Sequence, residues 1–185
     1  MNKDSIWWTR KSWINAECRL LRYATWSNIS LFWYSLCGVF ASVLLLGEQK
    51  PEVISKVFIC FSVFVFCASL FTSLGRYTDR ARKFKRGYIE LQNLYLKVKD
   101  KPNLNDEDAA RYSQILESCE NYSDLDFLNA RVEAHNNTKD KSSLTINVGK
   151  RHITAFYLVK IFNFLVIASI LLTPLIIIAF SLYKK

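Results

Sequence analysis

Three stretches of the chain, residues 29–46, 53–74 and 161–182, carry almost no charge. A bilayer core about 30 Å thick is crossed by roughly 20 apolar residues in helical form. Inside lipid a backbone must satisfy its own hydrogen bonds, so each stretch reads as a helix. The pattern predicts an all-α integral membrane protein. It has an N-terminal transmembrane helical hairpin over about 29–74, a cytoplasmic helical bundle over about 76–135, a mobile loop over 136–152, and a third transmembrane helix over 153–185.

Basic residues near the membrane ends set orientation. Lys3, Arg10, Lys11, Arg19 and Arg22 precede the first stretch, and Arg76, Arg80, Arg82, Lys83, Lys85 and Arg86 follow the second. The tip between them, residues 47–52, offers Lys50 alone. The N-terminus and central region are therefore expected in the cytoplasm. The third stretch then leaves Lys184 and Lys185 outside, with Pro174 kinking it. The net charge of +9 follows from this arrangement and from nearness to anionic lipid heads, and direct nucleic-acid binding is not expected. The first 28 residues are charged throughout and do not read as a cleavable signal peptide.

Between the apolar stretches the chain reads as helix. Over residues 4–28, Trp7, Ile14, Cys18 and Leu21 recur at helical spacing, with Trp8, Trp13, Tyr23 and Trp26 as interfacial aromatics. Tyr77, Ala81, Phe84, Tyr88, Leu91, Tyr95 and Val98 alternate four- and three-residue steps. That stripe predicts one long helix running out of the bilayer, packed on the chain's own helices or self-associating. Pro102 ends it, and Asn105 caps a next helix that opens on Asp106, Glu107 and Asp108. Tyr112, Ile115, Leu116 and Cys119 face inward there, and a further short helix turns Leu125, Leu128 and Val132 inward.

Catalysis finds little footing. His135 and His152 flank the loop, no Ser-His-Asp set or Gly-rich phosphate loop is present, and the five cysteines include no CxxC pair. The expectation is no catalytic, metal or cofactor site. Glu120, Asp124 and Asp126 lie close together with Asn121 among them. Paired carboxylates can do acid–base work or hold a hard cation, or they can cap helices and pair with Arg76, Arg80 or Arg82. The membrane stretches carry a second pattern. Ser55, Ser62 and Ser69 fall at seven-residue steps, and Ser35, Gly38 and Ser42 make a small-residue face. Such faces mark close helix packing or line a narrow wet path in an assembly.

Four elements together resemble the SLATT family, the SMODS- and SLOG-associating two-transmembrane effectors. They are Ala16-x-x-Arg19-Leu20; Trp33-Tyr34-Ser35; Tyr77-x-x-Arg80-Ala81-x-x-Phe84 running on to Tyr88-x-x-Leu91-Gln92-x-Leu94-Tyr95; and Tyr112-x-x-Ile115-Leu116-x-x-x-Glu120-Asn121-Tyr122-x-x-Leu125-Asp126-Phe127. Tyr122 stands where the family often has His, and the C-terminal apolar stretch goes beyond its two-span core. The resemblance makes residues 1–135 a SLATT-like domain. It implies a bacterial anti-phage effector of the inner membrane that acts beside a signal-nucleotide synthase, a SLOG sensor or a reverse transcriptase.

The functional expectation is a homo-oligomer that permeabilises the membrane on activation, ending the infected cell. Ser55, Ser62 and Ser69 would face a pore, and Tyr112, Glu120, Asn121 and Asp126 would form a structural latch. The alternative is an anchor or scaffold that tethers a partner defence enzyme. An enzyme using Glu120 and Asp126 is the remaining class.

Overall fold

A computed structural model describes residues 3–44, 52–101, 104–139 and 144–183, which are helical except for short connections. The helices are α1 (Lys3–Leu44), α2 (Glu52–Leu74), α3 (Tyr77–Val98), α4 (Asp106–Glu117), α5 (Asp124–Asn137) and α6 (Lys150–Tyr183). They sort into two compact units. One comprises Met1–Arg22 with Tyr77–Lys160, the other Tyr23–Arg76 with Ile161–Lys185.

The first unit is a helical body with an apolar core. Ile6, Trp13, Ala16 and Leu20 of α1 meet Ala81, Phe84, Leu91, Leu94 and Val98 of α3 and Tyr112 and Ile115 of α4. Fully burying one such large side chain stabilises by about 1.5–3 kcal/mol. The heptad stripe of α3 is spent on this core, with Tyr77, Tyr88 and Tyr95 packed against it. It is a packing face within the chain.

Trp13 reaches its place only because position 87 has no side chain. A Cβ on Gly87 would lie 2.4 Å from the Trp13 ring and 2.7 Å from Cys119 Sγ. Asn105 occupies the N-cap position of α4 in extended conformation, without a side-chain cap bond. Ser123 caps α5 instead, in a reciprocal capping box with Asp126. Part of the expected loop is also fastened. Trp8 Nε1 donates to Thr145 Oγ1 at 3.0 Å, and Arg131 Nη2 donates to the Asn147 carbonyl at 2.8 Å.

The second unit turns its rings outward. Phe32 is 72% exposed and Phe71 73%, with Phe64, Phe162 and Phe164 close behind. Its polar contacts gather where a proline interrupts a helix. Pro174 lies inside α6 and has no N–H to give the carbonyl four residues back, that of Ile170. Tyr34 Oη donates to that carbonyl at 2.9 Å, and Trp33 Nε1 donates to the next one, Leu171, at 2.9 Å. Tyr34 also stacks on Phe61, ring centroids 5.7 Å apart.

Leu125, expected to face inward, is exposed; two larger expectations also need correction. The helix after the second apolar segment does not run on from it without a break. α2 stops at Leu74, Gly75 donates back to Thr72, and Arg76 adopts φ 43° before α3 opens. For a residue with a Cβ that left-handed conformation costs about 1–2 kcal/mol, so the break is built into the fold.

The second correction concerns the N-terminal transmembrane hairpin. Among the described residues, two helical segments are long and apolar enough to cross a membrane, Ile59–Val98 and Lys150–Phe180. The apolar part of the first lies in α2. α1 is not among them. Its first half carries Arg10, Lys11, Arg19 and Arg22 and an ion pair to Asp126, and Ser27, Asn28, Ser30, Ser35 and Ser42 dilute the apolar residues of its second half. The fold is all-α with two membrane-length apolar helices, one central and one C-terminal, in place of three spans led by a hairpin. The tip at 47–51 and the terminal Lys184 and Lys185 lie outside the described residues.

Candidate functional site

The polar centre of the helical body is an arginine–carboxylate clasp. The Asp126 side chain is fully buried at the start of α5. Arg19 grips it in bidentate fashion, Nε to Oδ1 at 2.8 Å and Nη2 to Oδ2 at 2.9 Å. The Ser123 amide and hydroxyl add donors to Oδ2 at 2.9 and 2.8 Å. A buried charge is tolerable only when paired and hydrogen-bonded in this way. The N-terminus of α5 adds the favourable end of its dipole.

Arg80 of α3 makes a second fork, Nε to Glu120 Oε1 at 2.7 Å and Nη2 to Oε2 at 2.8 Å. Both of its side chains are 40% exposed, so this pair is worth less than the first. Glu120 raises the Arg80 pKa above its ordinary value through that hydrogen bond, against smaller opposing effects of burial and of Arg19.

The four expected latch residues fall in different settings. Asp126 is buried and fastened to α1. Tyr112 is buried, its hydroxyl 2.8 Å from Thr9 Oγ1, also on α1. Glu120 is at the surface, fastened to α3. Asn121 is exposed. Sequence reasoning named the carboxylates and missed Arg19 as the partner of Asp126 and Ser123 as its cap.

A third ionic cluster joins the end of α3 to the start of α4. The Asp108 side chain is 1% exposed, 2.7 Å from Lys101 Nζ and 3.0 Å from Lys97 Nζ. Hydrogen bonds from Lys101 and then Lys97 hold its carboxyl below the ordinary range. The sequence pattern marks it only as an acid that complements the helix dipole.

The serines of the apolar unit are mostly satisfied by their own helices. Ser35 Oγ donates to the Leu31 carbonyl at 2.9 Å, Ser42 to Gly38 at 2.8 Å and Ser69 to Phe66 at 2.8 Å. A hydroxyl bonded this way can face an apolar medium at little cost. Ser35, Ser42 and Ser62 are exposed and Ser69 is half-buried. Gly38 packs toward Phe61, an added Cβ standing 3.8 Å from its ring. The side chain of Ser55 lies outside the described residues.

Among the described residues no group of three or more His, Cys, Asp or Glu is placed to hold a metal ion. Glu120 and Asp126 are each committed to an arginine, which leaves no free acid–base pair. These features define an all-helical protein with two membrane-length apolar helices and a body held together by ionic forks.

A family model described as SMODS and SLOG-associating 2TM effector domain family 5 matches residues 2–180, and the chain belongs to that family. No curated protein and no solved structure matches it. Family membership makes the chain a non-enzymatic, membrane-associated defence effector that works with SMODS and SLOG sensor systems. The matched span takes in nearly all of the C-terminal apolar helix, which is therefore part of the family's architecture and no addition to it.

Proposed function

We propose that the chain is a pore-forming effector of the bacterial inner membrane, held inactive by the Arg19–Asp126 clasp and opened by its release. One observation carries the reading. Exposed hydroxyls and exposed rings share the surface of the apolar unit, while in the body a bidentate arginine of α1 fastens the fully buried Asp126 of α5. In this reading copies of the chain associate through the apolar unit. Ser62 and Ser69 of α2, with Ser55, turn toward a narrow wet path. Ser35, Gly38 and Ser42 of α1 pack helices closely. Tyr112, Glu120, Asn121 and Asp126 belong to the latch, with Arg19 as the hand that holds it. A signal-nucleotide synthase, SLOG sensor or reverse transcriptase delivers the trigger to the charged body.

The test is uptake of a membrane-impermeant dye by bacteria expressing the protein together with its neighbouring defence genes, during phage challenge. Entry of dye before lysis, lost in Ser62→Leu at equal protein level, is the expected result. An intact membrane potential in triggered cells overturns the pore and leaves a scaffold that tethers a partner enzyme.

A further inference from the structure

We propose that the outward face of α3 is a docking surface for anionic phospholipid headgroups. α3 has two faces of opposite character. Ala81, Phe84, Gly87, Leu91, Leu94 and Val98 are buried in the body. On the other side Arg82, Lys83, Lys85 and Arg86 are exposed. Ile89 (46% exposed) and Leu96 (50%) continue the same stripe at helical spacing. Among the described residues, none of these four cations makes a two-point fork to a carboxylate as Arg80 does. Arg82 is 69% exposed, and its carboxylate neighbour Asp79, 3.5 Å away, is itself half exposed. The other acid on this helix surface, Glu90, is taken by Arg111 of α4 at 2.7 Å.

The position of these residues in the chain selects the partner. Leu74 ends an apolar helix of membrane length, and Arg86 follows twelve residues later. Three extended residues and nine helical ones reach at most about 25 Å, so the cations stay close to any bilayer that holds α2. Clustered Lys and Arg at that distance are drawn to a negatively charged leaflet, and the attraction is screened by salt. Exposed Ile89 and Leu96 suit the boundary between headgroup and acyl chain, where an amphipathic helix rests its apolar side chains. A polyanion in solution would explain the cations and leave the two apolar side chains without a role.

The experiment uses the full chain in nanodiscs, either of phosphatidylcholine alone or with about one-third phosphatidylglycerol, at low salt. Lysines are acetylated with a water-soluble ester and read by mass spectrometry. Lys83 and Lys85 are expected to react about threefold or more slowly in the anionic discs, and to recover in about 0.5 M salt, where screening is nearly complete. Lys139, outside α3, should react alike in both discs. Equal rates at Lys83 and Lys85 in the two discs overturn the proposal. So does protection that ignores lipid charge and follows an added DNA duplex, which would assign the face to nucleic acid.

Discussion

The body and the apolar unit are both helical, and both contain parts of α1 and α6, yet they solve the same problem in opposite ways. The body buries rings, as in the Trp13–Phe84 edge contact at 6.0 Å, and joins its helices through charged forks. The apolar unit exposes Phe32, Phe64 and Phe71 and keeps its hydroxyls bonded to their own helices. Two of its between-helix polar bonds, from Tyr34 and Trp33, reach the turn of α6 that Pro174 interrupts. The difference lies in the medium each unit is built for. Water rewards buried apolar surface and tolerates exposed charge, whereas lipid is indifferent to apolar surface and penalises an unpaired backbone group.

Substitutions should separate the two strategies. The largest effect is expected from Asp126→Ala, which strips Arg19 of its partner and α5 of half its capping box. The loss is about 2–4 kcal/mol, combining a charge-assisted bond with a cap. Hydrogen exchange of the full chain in detergent should report it in α5 and in the first half of α1, with the peptides of 161–180 unchanged. Loss of protection in both units together would break the comparison. Gly87→Ala comes next. Trp13 and Cys119 must move, at a cost of about 1–3 kcal/mol, with native tryptophan fluorescence as the readout. A variant as stable as the parent would mean that the Trp13 seat relaxes freely.

In the apolar unit Tyr34→Phe removes the donor that serves the Ile170 carbonyl, for about 1 kcal/mol. Combining it with Pro174→Ala, which restores the helical N–H, should erase most of that loss in a double-mutant cycle on thermal unfolding. Equal losses with and without the proline would show that the tyrosine acts by packing alone. The smallest effect belongs to Glu120→Gln, under about 1 kcal/mol because the fork to Arg80 is half in solvent. Its contribution should fade further as salt rises, whereas that of Asp126 should not.

The sequence was most readable where one helix face has one job. The stripe from Tyr77 to Val98 and the inward Tyr112 and Ile115 were evident from spacing and are core in the structure. The α1 stretch misled because freedom from charge was taken as membrane character, while its serines and asparagine lower its apolar content. The α2–α3 break rests on one backbone angle at Arg76, which no hydrophobic period reports. In the clasp, the carboxylates stood out because they cluster locally. Arg19 lies 107 residues from Asp126, and nothing local to either marks the other. Gly87 was equally hidden, since its role is to be absent where a distant indole needs room.

That separation of 107 residues also sets an order of events during synthesis. At a ribosomal rate of about 5–20 residues per second, Arg19 waits roughly 5–20 s for its acid to be made. Through that interval α2 and the leading arginines have been made while the body has no closing piece. The clasp therefore closes only after α2 has been made, and a chain cut short before α5 lacks the restraint proposed above.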